Sequence, residues 1–245
     1  MKTDDIDDIL AQAAHSSLPS GAERAAVERA QSVLLVHLPP VRPIAPVWMI
    51  TLGLVALFAG FGAASAALLG LHGLHVLNPN QTASIFSTLL LAAWLAATAC
   101  VRTMRPAAGL RIGWLAWAVA VLVFPVLFSL VFHGYSTRNF IHEGIPCLVA
   151  GLCVAIPTGL AVALILRRGF VMEWNSAGVA AGVLSGLTGL AMLELHCPNL
   201  KAIHVMVWHV AVVMTAGVLG WAVGSLVDFF RRRGSISTGA APGGA

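Results

Sequence analysis

The sequence predicts an all-α, polytopic membrane protein: a six-transmembrane-helix bundle with both termini cytoplasmic, preceded by short N-terminal cytoplasmic helices. Three observations predict it. The first is composition. Of 245 residues, 58% are hydrophobic and only 10% are charged, and the mean hydropathy is +0.88. A soluble domain carries about 25% charged residues, so this chain has too few polar groups to cover a water-facing surface.

The second observation is six long apolar runs: Pro46–Leu69, Thr82–Val101, Ile112–Phe132, Pro146–Leu166, Asn175–Leu195 and Ile203–Phe229. About 20 apolar residues in a helix span ~30 Å of hydrocarbon. Backbone groups in lipid must pair within their own segment, so each run is read as helical. The runs are too long and too continuous for the alternating strands of a barrel. Pro125 and Pro157 fall inside runs three and four, where each removes a backbone donor and is expected to kink its helix. Glycines recur every fourth residue in run five (Gly178, Gly182, Gly186) and again in run six (Gly220, Gly224). Such stripes let helix backbones approach closely, within one bundle or between two copies.

The third observation is the placement of Lys and Arg. Lys2, Arg24, Arg29, Arg42, Arg102, Arg105, Arg111, Arg167, Arg168 and Arg231 to Arg233 all fall on one side, twelve of the fourteen basic residues. Arg138 and Lys201 remain for the other side. The basic side faces the cytoplasm, which gives an N-in, C-in topology. The expected division is a cytoplasmic segment over 1–43, the transmembrane domain over 44–230 and a flexible cytoplasmic tail over 231–245. The opening MKTDDIDDIL is acidic, unlike the basic start of a secretory signal, so the first span is expected to serve as the insertion signal.

Composition and motifs also exclude function classes. The net charge of +4 is spread over several loops and gives no sign of direct nucleic-acid binding. The span interiors hold almost no ionisable residues, and Glu194 and Asp228 lie at span ends. Pumps and transporters usually need such groups at mid-depth. There is no Gly-rich phosphate loop, zinc-protease pattern or nucleophile elbow, and the chain is expected not to be an enzyme.

One cluster does carry chemistry. Cys147 opens the fourth run, and His196-Cys197-Pro198 sits between the fifth and sixth. Both cysteines therefore lie at the outer surface. His72, His75, His133, His142, His196 and His204 share that face or its edge, with His209 a little deeper. Cys147, His196 and Cys197 are the candidate sensing residues. Two thiols at one depth suit a Cys147–Cys197 disulfide, or they can join histidines as soft metal ligands. Ordinary packing and interfacial anchoring by His and Cys are equally consistent with the sequence. Cys100 and Cys153 read as packing residues.

The only sizeable soluble segment is 1–43. Ile6, Ile9, Leu10, Ala13 and Ala14 recur at helical spacing and form one apolar face. Thr3 or Asp4 can cap this helix, and Asp5, Asp7 and Asp8 fill its first turn. A second helix is expected from Ala22 to His37, followed by a stiff connection at Pro39, Pro40 and Pro43. A twelve-residue helix is marginal alone in water, and an acidic one is poorly suited to anionic lipid. An acidic amphipathic helix on a tether fits a groove on a basic protein partner. Asp4, Asp5, Ile6, Asp7, Asp8, Ile9 and Leu10 are the candidate partner-binding residues.

Three stretches carry a resemblance. MKTDDIDDIL resembles the opening of the NrsF-like negative regulators of extracytoplasmic-function sigma factors, which are six-span anti-sigma factors of the bacterial inner membrane. CLVAGLCVAIPTGLAVALILRRG is similar to that family's fourth span, with Cys147 at its outer end, Pro157 ten residues on and Arg167 ten further. LHCPNLKAIHVMVWH is similar to its Leu-His-Cys-Pro with a following Trp, here Trp208. Asn199 stands where the family usually has an acidic residue, and His209 where it often has Tyr. The resemblance implies that the N-terminus holds a sigma factor and that the membrane domain senses envelope or chemical stress. The reading from another class is a small-molecule or metal transporter with histidines and cysteines at its outer mouth. A structural subunit of a membrane complex is a third. The sigma factor, the signal and the oligomeric state are not written in the sequence.

Overall fold

The computed structural model describes residues 45–104, 114–137, 139–169, 171 and 173–238, together with Gly21, Ala25, Glu28, Arg29, Gln31 and Ser32. The chain falls into two compact units, Met1–Pro43 and Ile44–Ala245. In the first, the described residues are helical and exposed. Arg29 Nε donates to the Ala25 carbonyl at 3.0 Å, and the Ser32 hydroxyl donates to the Arg29 carbonyl at 2.9 Å. The candidate partner-binding residues Asp4 to Leu10 lie outside the described residues.

The second unit is built of helices alone among the described residues: α1 Val47–Leu69, α2 Pro79–Thr103, α3 Trp114–Val131, α4 Phe140–Leu166, α5 Trp174–His196 and α6. The last opens with Ala202–His204, passes through a π-helical turn over Val205–His209 and continues as Val210–Thr238. Its helix thus runs on to Thr238. Helices α1, α2, α4, α5 and α6 are long and apolar enough to cross a membrane by length and composition. The remaining expected run, Ile112–Phe132, contains the 18-residue helix α3.

Two helix starts differ from the hydropathy reading, each for a local reason. α2 begins at Pro79, ahead of Thr82, because a capping box precedes the apolar run. Asn78 Oδ1 accepts from the Gln81 N–H at 2.9 Å, and Gln81 Oε1 accepts from the Asn78 N–H at 3.1 Å. Pro79 sits at the first helical position, where its missing N–H is harmless. α4 begins at Phe140, ahead of Pro146. Asn139 in the left-handed region (φ 59) turns the chain into it, and Glu143 occupies the first turn, where the helix dipole favours a negative charge. The backbone bond that Pro146 forgoes would reach only to the His142 carbonyl, close to the helix end. α4 continues through Pro157.

α5 is the axis of the bundle. Of its spanning window 78% is buried, against 22–44% for the other four. The glycine stripe explains this position. A Cβ on Gly178 would meet the Gly220 carbonyl oxygen, one on Gly182 the Ala216 carbonyl oxygen, and one on Gly224 the Trp174 carbonyl oxygen. The stripes of α5 and α6 therefore face each other within one chain, backbone against backbone. The outward faces stay apolar: Trp48, Leu68, Leu91, Leu160 and Trp221 are all exposed.

The bundle has two distinct ends. At one, the α2 and α4 ends meet where Met104 packs on Gly169, and Arg231 lies over the Trp174 ring at 5.5 Å. Arg102, Arg167 and Arg168 belong to this end. At the other, Gln81 Nε2 donates to the Val131 carbonyl at 3.0 Å, and the Leu74 N–H donates to the Leu195 carbonyl at 3.1 Å. The start of α4, the end of α5 and the start of α6 converge here.

Candidate functional site

Four side chains of ligand type meet at this second end. Cys147 comes from the second turn of α4, Cys197 caps the C-terminus of α5, and His204 precedes and His209 ends the π-turn of α6. Their ligand-type atoms all lie within 4.8 Å of one another. Cys147 Sγ is 3.6 Å from Cys197 Sγ, and Cys197 Sγ is 3.7 Å from His204 Nε2. A disulfide bond is about 2.05 Å long, and both cysteines are free thiols here.

The π-turn is what brings the two histidines together. Five residues of α-helix sweep about 500°, which would set His204 and His209 roughly 140° apart around the axis. A π-turn is wound more loosely and closes its bonds over five residues. The two rings accordingly meet edge to face, with centroids 5.2 Å apart. Trp208 of the same turn packs its indole on Gly144, where any Cβ would collide with it. It also packs on the Phe140 ring at 5.4 Å. That contact seats the start of α4, and with it Cys147, against the turn.

A carboxylate stands behind the cluster. Glu194 Oε1 is 2.8 Å from His209 Nδ1, and both side chains are fully buried. Glu194 Oε2, His204 Nδ1 and His209 Nε2 are buried without hydrogen-bond partners. An unsatisfied buried polar atom costs about 1–3 kcal/mol, so three at one place call for a physical reason. The Cys197 thiol is held above its ordinary pKa, first by its hydrogen bond with Cys147 and then by burial. The neighbouring His204 and His209 imidazoles pull it the other way. Around the rim, Asn199 Nδ2 donates to Glu143 Oε2 at 2.7 Å, which ties the α5–α6 loop to α4.

Of the three residues expected to form the outer site, Cys147 and Cys197 come together. His196 lies apart from the four: its Nδ1 is 2.9 Å from the Gly70 carbonyl, and its ring lies tilted against His72, with centroids 5.8 Å apart. His204, His209 and Glu194 complete the cluster. Sequence reasoning placed the histidines near that face and Glu194 at a span end, but did not join them.

The fold and this cluster define a class: an apolar helical bundle of membrane-spanning dimensions with a buried thiol–imidazole site at one end. Residues 34–227 match the family of the negative regulator of sigma F, NrsF, and the chain belongs to that family. The family is one of sigma-factor regulators. No curated protein and no solved structure matches the chain.

Proposed function

We propose that the chain is a membrane-bound anti-sigma factor of the bacterial inner membrane. In this reading α1 to α6 all span the bilayer, α3 included, with both termini cytoplasmic. The segment 1–43 sequesters an extracytoplasmic-function sigma factor, with Ile6, Ile9 and Leu10 as apolar anchors and Asp4, Asp5, Asp7 and Asp8 as the acidic complement. The membrane domain releases it on an envelope, redox or metal signal received near Cys147, His196 and Cys197. The observation that carries the reading is the family match over 34–227 on a bundle with five span-length helices among the described residues. Release requires two bundle states that differ in affinity for the partner.

The test is a transcriptome of cells lacking this chain. Loss of a negative regulator should raise one set of genes that share a promoter pattern, and resupply of the chain should silence them. A transcriptome unchanged by both loss and overproduction would contradict the reading and favour a transport role.

A further inference from the structure

The described bundle offers several features outside the family's regulatory role. The small-residue stripes are consumed by α5–α6 packing, and the exposed apolar faces are what a bilayer covers. The shallow depression at Asn78, Gln81 and His133 holds no unpartnered buried group. The thiol–imidazole cluster is different, because its ligand count, spacing and burial all point to one chemistry.

We infer that Cys147, Cys197, His204 and His209 form a four-coordinate site for a borderline-soft divalent cation of the zinc type, with Glu194 as the positioning residue for His209. This deepens the sensing part of the reading above by naming the ligand set and the cation class. Metal–sulfur bonds of about 2.3 Å and metal–nitrogen bonds of about 2.0 Å at tetrahedral angles place ligand atoms roughly 3.3–3.8 Å apart. The Sγ–Sγ separation of 3.6 Å and the Sγ–Nε2 separation of 3.7 Å fall in that interval. Two of the six separations therefore already match a bound cation, and the widest, at up to 4.8 Å, closes on binding.

The donor set agrees with this assignment. Two Cys and two His select zinc-like ions over magnesium or calcium, which take oxygen. Cys197, His204 and His209 are nearly or fully buried, as in a closed site with no water position. His209 Nδ1 is engaged by Glu194, which leaves Nε2 as its ligating nitrogen; that atom is buried and without a partner. A carboxylate behind a ligating imidazole fixes the ring and raises its basicity. Binding releases the two thiol protons to solvent, and the two thiolates offset the charge of the dication.

The test uses the full-length protein in detergent micelles under reducing conditions, stripped with a chelator and titrated with Co²⁺. The expected result is one Co²⁺ per chain, with intense visible absorption bands of a tetrahedral ion and a thiolate charge-transfer band. Zn²⁺ should bleach both. Cys197→Ser, His204→Ala and His209→Ala should each lose the tetrahedral spectrum while circular dichroism and elution volume show a folded chain. His196→Ala and Cys153→Ser should keep it. Glu194→Gln should keep the spectrum and weaken affinity 10–100-fold. The inference is overturned if the reduced wild-type chain binds no stoichiometric Co²⁺, or if His204→Ala and His209→Ala both leave the spectrum intact. The readout is the metal itself. Failure here leaves sigma-factor capture standing, and failure of capture leaves the metal result standing.

Discussion

Glu194 and His209 meet at 2.8 Å with neither side chain exposed. They come from different helices, the end of α5 and the start of α6. The pair therefore fixes where α6 begins relative to α5. Glu194→Leu removes the charge and the acceptor while keeping bulk. It leaves His209 buried without a partner at Nδ1, and the expected loss is about 1–3 kcal/mol. Denaturant-induced unfolding in mixed micelles reads this directly; an unchanged midpoint would mean that the contact is not maintained.

The close approach of α5 and α6 yields a second prediction. Gly178→Ala places a Cβ on the Gly220 carbonyl oxygen, and two backbones must separate to admit it. Such overpacking costs about 1–3 kcal/mol. Gly60→Ala on α1 meets nothing within 4 Å and serves as the control, with a neutral or slightly stabilising effect expected from helix propensity. Equal midpoints for the two variants would argue against the observed α5–α6 packing.

These contacts also mark how far the sequence could be read. The apolar runs located each described helix of the bundle, because hydrocarbon length and backbone pairing constrain them strongly. The starts of α2 and α4 escaped because they are set by polar capping at Asn78 and by the turn at Asn139, which hydropathy does not register. Cys147 and Cys197 were legible as partners from their common depth. The union of His204 with His209 was not, because ordinary helical phasing sends residues five apart to different faces and the π-turn resets that phase. His196 misled for the opposite reason: it adjoins Cys197 in sequence, yet the last turn of α5 directs it to the Gly70 carbonyl.

The proposed topology is tested by labelling. Single cysteines introduced at His75, in the turn ahead of α2, and at Thr103, its last residue, in a chain with its native cysteines replaced, mark the two ends of the bundle. In intact spheroplasts an impermeant maleimide should label the first and spare the second. Labelling of Thr103→Cys alone would invert the orientation drawn from the basic residues.

Residues 4–10 carry the expected recognition helix. Replacing Ile6, Ile9 and Leu10 together with Ala removes its apolar face while leaving its acidic residues. Apolar anchors dominate helix-in-groove binding, so captured sigma factor should fall at least tenfold at equal protein level. Retained capture would move the contact elsewhere in 1–43.

The most direct measurement is capture from solubilised membranes by the intact chain and by a version lacking residues 1–20, with bound proteins identified by mass spectrometry. A sigma factor recovered with the intact chain and absent from the truncated one is the predicted result. Recovery of none by the intact chain, at matched expression and with the bundle folded, would contradict the anti-sigma account.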